Sequence, residues 1–301
     1  MKSVKNVPGS VRQRLLDRAR KDRRPFNELL QYYAIERFLY RLSLSAHSGR
    51  FVLKGALLLR VWDSPEIRPT MDIDMLGITS NKESDIIKQV KDILCVDVEA
   101  DGLFFDPDSI RSERITEDTD YEGIRIRFHG NLDKAIIHMQ VDIGFGDAIH
   151  PEPETHGFPT LLDFPSPLLN CYSRESAIAE KLEAMVKLGV LNSRMKDFYD
   201  IWLLGRLFDF TGDSLTEAIR QTFERRKTTI PEQIEAFSTS FIDAKQIQWT
   251  AFRKRLKQEH VPLYFKDVVA AVEEFLSPPI SSLSDKSPIP VKWKAPGPWR
   301  R

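Results

Sequence analysis

Two short apolar runs in this chain carry carboxylates where a half-buried strand has no natural place for them. In MDIDMLGI, Asp72 and Asp74 stand two residues apart. Residues i and i+2 of a strand share a face, with α-carbons roughly 7 Å apart. Like charges placed in this way repel, and on a half-buried strand they are costly unless a cation joins them. In MQVDIGFG a third carboxylate, Asp142, is flanked by Val141 and Ile143. If the two strands are neighbours, three carboxylates converge on one face. Such a set suits Mg2+ or Mn2+, hard ions that take oxygen ligands and leave room for phosphate oxygens. Two such ions roughly 3.5–4 Å apart activate an attacking hydroxyl and stabilise a leaving pyrophosphate.

Composition narrows the class. The chain has 301 residues, 42% apolar and 29% charged, values of a soluble globular protein with a large core. No apolar run approaches the roughly 20 residues of a membrane span. The basic N-terminus lacks the apolar segment of a secretory signal, and Asp17 and Asp22 argue against a transit peptide. Net charge is zero, so no global attraction to nucleic acid is expected. Basic residues nevertheless cluster in the first two dozen residues, in FERRKTT and FRKRLKQ, and in the tail KWKAPGPWRR. Cys95 and Cys171 lie in apolar stretches and are expected to be buried free thiols in a reducing cytoplasm. The six histidines show no ligand spacing, so zinc is not expected.

Periodicity predicts a basic helix over 10–24 and a well-buried helix after Pro25. A strand-like run ends near Leu53, and Gly55 turns the chain into a helix. MDIDMLGI reads as a strand and 84–96 as an amphipathic helix. FDPDSIRSERI, IRIRFHGNL and KAIIHMQVDIGFGD read as successive strands, with HGNLD as the hairpin signal. A proline-rich connector follows Asp147. Helices are then predicted over 173–189, 194–208, 214–227, 231–240, 248–258 and 264–276. The last 25 residues hold six prolines and read as a disordered tail or as a strap docked by Trp293 and Trp299. The predicted architecture is an α+β core over 1–165, a helical C-terminal domain over 166–276 and a Pro-rich tail over 277–301.

A glycine turn into a helix, a hydrophobic-flanked D-x-D and a third acid on another strand resemble the polymerase-β-type nucleotidyltransferases, whose core is a small mixed sheet flanked by helices. Four stretches sharpen the likeness: FVLKGALLLRVW, RPTMDIDMLG, AIAEKLEAM and RMKDFYDIWLL. Together they resemble the AbiEii/AbiGii (MenT-like) family of nucleotidyltransferase-fold toxins. The resemblance implies roles residue by residue. Gly55 brings backbone close to nucleotide phosphates, Asp72 and Asp74 bind metal, and Arg68 and Thr70 lead into that pair. Lys181 contacts the triphosphate, Asp197 is the fourth-motif acid that orders Lys181 or the acceptor, and Asp200 follows one turn later. Many relatives read Gly-Gly-Thr or Gly-Ser where this chain has Gly55-Ala56-Leu57, which leaves backbone N–H groups and Lys54 or Arg60 for the phosphates.

Without the resemblance, Lys181 reads as a lysine at the edge of the stripe formed by Ile178, Leu182 and Met185. Asp197 and Asp200 read as a mildly repelling pair on a solvated edge, supported by Arg194 or Lys196. The expected activity is Mg2+-dependent transfer of NMP from an NTP to an acceptor hydroxyl, at the tRNA 3′ end in the family. Asp142 would serve as metal ligand or base, and a separate cognate antitoxin is the expected partner. The alternatives are a small-molecule or protein nucleotidyltransferase, and a degenerate NTP-binding protein.

Overall fold

Twelve of the nineteen residues of the second helix are buried, including Glu36, Arg37 and Arg41, and the first half of the chain is organised around it. The computed structural model describes residues 6–64, 70–118, 121–284, 288–289 and 291–300. The chain divides into two units, 1–146 with 154–171, and 147–153 with 172–301.

In the first unit, α1 (Val7–Asp22) starts at Asn6, whose side chain accepts from the Gly9 N–H, with Pro8 in the first turn. Then come α2 (Phe26–Leu44), β1 (Phe51–Lys54), a 3-10 turn over Gly55–Leu57, α3 (Leu58–Val61) and β2 (Asp72–Gly77). After α4 (Glu83–Leu94) follow β3 (Leu103–Asp118), β4 (Tyr121–Leu132), β5 (Ala135–Phe145), β6 (Glu154–Gly157) and β7 (Leu168–Cys171). They form one mixed sheet in the order β3-β4-β5-β2-β1-β7-β6. β2 runs parallel to β5, and β1 parallel to β7.

The two faces of the sheet differ. On β5, Ile137, Met139, Val141 and Ile143 are buried, while His138, Gln140 and Asp142 alternate with them on the more open face. Ile124, Ile126 and Phe128 repeat the pattern on β4. The buried face is closed by α2. Phe38 meets Phe128 at 5.4 Å and Phe105 at 6.3 Å between ring centroids. Arg41 pairs with Asp101 (2.7 and 3.2 Å) and donates to the Leu103 carbonyl, tying α2 to the start of β3.

In the second unit, α5 (Arg174–Leu188) is capped by Ser173, which accepts from the Ser176 N–H. Next come α6 (Met195–Leu207), β8 (Phe210–Thr211), α7 (Gly212–Arg226), α8 (Thr239–Leu256), α9 (Phe265–Ser284), β9 (Lys292–Trp293) and β10 (Trp299–Arg300). Phe198, Phe241, Trp249 and Phe265 pack as one aromatic core. Arg226 of α7 bridges Asp147 at 2.9 Å and Glu183 of α5 at 2.7 Å.

Several expectations are corrected. The helix predicted over 231–240 is only a 3-10 turn at Glu235–Phe237, because Ser238 caps a new helix at Thr239. The proline-rich connector contains β6 and leads into β7, four-residue strands that pair along their backbones and through Thr155, which donates to the Asn170 side chain at 3.0 Å. Helix α9 runs through Pro278 and Pro279 to Ser284, past the predicted end at 276, with Pro279 and Ile280 buried. Of the two tail readings, the strap is the one observed. Trp293 donates to the Gly205 carbonyl and Trp299 to that of Phe275, while β8, β9 and β10 form a small sheet. Cys171 is buried, which pushes its thiol up to about 12, but Cys95 at the end of α4 is exposed. Among the described residues no helix is long and apolar enough to cross a membrane.

Glu36 makes a pH prediction. Burial pushes its carboxyl from 4.5 up to about 7, opposed in part by Arg37 and by the Leu161 N–H, which donates to it at 2.7 Å. The unfolded chain therefore loses this proton before the folded one does. The resulting stability is fully present below about pH 4.5 and is lost as pH rises through about 7. Glu36→Gln is expected to remove that decline, measured as urea stability across this pH range. An unchanged slope contradicts the assignment.

Candidate active site

The site begins with strand register. β1 runs antiparallel to β2 with Lys54 opposite Asp74, and β2 runs parallel to β5 with Asp74 opposite Asp142. Lys54, Asp74 and Asp142 therefore lie in one row across three adjacent strands. Asp72, two residues earlier, sits opposite Gln140 on the same face. The expectation that the two carboxylate-bearing strands are neighbours holds.

Gly55 closes one side of this row. Its φ is +74°, and a Cβ there would stand 2.0 Å from Oδ2 of Asp74. Only glycine permits both the turn and the approach of that carboxylate. Ala56 and Leu57, the two residues after Gly55 in the turn, are buried in the core. Thr70 leads into β2, its N–H donating to the Tyr32 hydroxyl at 3.3 Å and its own hydroxyl to the Asp72 carbonyl at 3.4 Å. Arg60 stacks on the Tyr32 ring at 4.3 Å. Arg68 lies outside the described residues.

Asp142 has a partner that the sequence reading missed. Arg125 of β4 stands opposite it and donates from Nε to Oδ1 at 2.8 Å and from Nη2 to Oδ2 at 2.7 Å. The hydrogen-bonded Asp142 raises the pKa of Arg125 against partial burial, with Glu113 and Asp72 adding to the field. A signal was present in the sequence. β4 and β5 are joined by a two-residue turn after Leu132, and Arg125 and Asp142 are each seven residues from the turn's flanking pair.

Among the described residues, no three His, Cys, Asp or Glu side chains are gathered closely enough to hold a metal ion. The donor chemistry of Asp72 and Asp74 still fits one. Both offer hard oxygens from one strand face, and one or two carboxylates suffice for Mg2+ when phosphates supply further ligands.

The remaining motif residues gather in the second unit. Lys181 of α5 places Nζ 2.9 Å from Asp197 and 2.8 Å from Asp200, both on α6. Both acids are buried, so the solvated edge supported by Arg194 or Lys196 is not what the fold builds. Lys181 is instead the cation between two carboxylates that would otherwise repel inside the protein.

Two substitutions test this geometry. Gly55→Ala is expected to cost roughly 1–3 kcal/mol, because it forces a side chain into a left-handed turn and against Asp74. Lys181→Met leaves two buried carboxylates without their shared cation and is expected to cost roughly 3 kcal/mol. Denaturant midpoints measure both, and a shift under about 0.5 kcal/mol in either contradicts the corresponding reading.

Two crystal structures from Helicobacter pylori match with 14% identity over 86% of this chain and 97% of theirs: a candidate nucleotidyltransferase (TM-score 0.46) and JHP933 (TM-score 0.47). The search of curated proteins finds no match. The profile of the family described as "Nucleotidyl transferase AbiEii toxin, Type IV TA system" matches residues 37–276, which span β1, β2, β5, α5 and α6. The chain belongs to the AbiEii family of nucleotidyltransferase toxins from type IV toxin–antitoxin systems.

Proposed function

We propose that the protein transfers NMP from an NTP to the 3′-terminal hydroxyl of a tRNA, in a reaction that depends on Mg2+ or Mn2+. The observation that carries the chemistry is the row of Lys54, Asp74 and Asp142 across β1, β2 and β5, with Gly55 closed against Asp74. Asp72 and Asp74 would hold the divalent cation, which when bound polarises phosphate oxygens and lowers the pKa of an attacking hydroxyl. Asp142, on the same face, would complete the ligand set or accept the acceptor's proton.

Gly55 removes side-chain bulk beside Asp74, so that the backbone N–H groups of the turn, with Lys54, Arg68 and Thr70, can receive phosphates. The family pattern assigns Lys181 to the triphosphate. Asp197 and Asp200 order its ammonium, and Asp200 counts with the nucleotide-binding set. The tRNA acceptor is what the family resemblance implies. The basic residues of α1, α7 and α8 offer backbone contacts that steer an RNA without specifying it. The toxin would act in the cytoplasm, and its cognate antitoxin would work without a stable direct complex, as a repressor of the shared operon.

The test is incubation with Mg2+, total tRNA and each labelled NTP in turn. Label is expected in the tRNA band, falling about 10²–10³-fold in Asp72→Ala. Label on protein alone, or on a small molecule, replaces the acceptor assignment. No label with any NTP leaves a degenerate nucleotide binder.

A further inference from the structure

Asp142 is asked to do two things at once. As a metal ligand it needs an oxygen lone pair free for the ion, yet both of its oxygens are engaged by Arg125 at 2.8 and 2.7 Å. Gln140 adds a third donor, 3.3 Å from Oδ2. A fork-to-fork guanidinium–carboxylate pair is among the strongest side-chain hydrogen-bonding arrangements. It is placed here by register, since Arg125 is opposite Asp142 and Asp142 is opposite Asp74. The side chains remain 26% and 20% exposed, so the pair is reachable from solvent.

We propose that Arg125 is an internal cation that holds Asp142 until a divalent ion binds, so that ion and guanidinium compete for one carboxylate. The inference rests on the metal-site reading above and adds a residue outside the four stretches that carry the family resemblance. Its physical basis is the charge balance of the row. Three acids on neighbouring strands repel when no ion is present, and Arg125 offsets that repulsion in the resting protein. Once an ion is bound, a guanidinium held against the same carboxylate would face a second positive charge at short range. Release of Asp142 relieves that repulsion. The freed guanidinium, with five N–H donors in a planar fork, is then suited to a phosphate.

Arg127 supplies the internal control. It lies two residues further along β4 with the same charge, but it pairs with Glu113 at 2.7 Å and reaches Gln140 at 3.2 Å.

The experiment titrates Mn2+ into the full chain and reads the free ion by electron paramagnetic resonance. Arg125→Met is expected to bind Mn2+ about tenfold more tightly than wild type. Arg127→Met should show no such gain, and the gain should vanish in Arg125→Met/Asp142→Asn. Equal affinity in Arg125→Met and wild type overturns the inference, as does an equal gain in Arg127→Met or a gain that survives Asp142→Asn. If circular dichroism shows Arg125→Met unfolded, Arg125→Gln keeps a polar contact with Asp142 but removes the charge. It should then bind Mn2+ more tightly than wild type, and no gain overturns the inference. The two readings fail differently. Binding that depends on Asp72 but ignores Arg125 removes only this inference, whereas binding indifferent to Asp72→Asn, or none in any variant, removes the metal site and the inference with it.

Discussion

The parallel pairing of β2 with β5 sets Asp74 opposite Asp142 between two apolar strands, and much of the first unit answers that juxtaposition of like charges. One answer is positional. Lys54 on β1 and Arg125 on β4 flank the acids along the same row, so cations bracket the carboxylates from both sides. Another is spatial, because Gly55 gives Asp74 room that any side chain would remove. The opposite face of the same strands is apolar and closed by α2, and this holds the register. A one-residue slip of β5 would bury Asp142 and expose Val141 and Ile143.

The second unit meets the same problem in another way. Asp197 and Asp200 are one helical turn apart and buried, with Lys181 between them. Stability alone does not explain such an arrangement, since a well-packed apolar cluster usually does as well or better. The same unit repeats the device at Arg226, which bridges Asp147 and Glu183.

Legibility differed by the kind of signal. The alternation in IRIRF and MQVDI marked β4 and β5, and that in MDIDM marked β2 and put Asp72 and Asp74 on one face. The hairpin was also readable, but its consequence for Arg125 was missed, since a lone arginine on an open strand face is ordinary. β6 and β7 could not be found, because strands of four residues among prolines are too short for a period of two to stand out. The burial of Asp197 and Asp200 was likewise hidden. Spacing on one helix shows that two acids are neighbours, but not that a lysine from another helix will cover them. Cys95 misled for the converse reason: an apolar neighbourhood in sequence does not ensure cover at a helix end.

The sequence by itself determined the longer helices and strands, the shared strand face of Asp72 and Asp74 and the family to which the motifs point. Those follow from periods of two and 3.6 residues and from glycine at a turn. Only the tertiary structure decided which cation each acid meets. Arg125 reaches Asp142 through strand register, and Lys181 reaches Asp197 and Asp200 through helix packing. Pairing between distant segments depends on how whole faces fit together, and a charge on a strand or helix does not announce its partner.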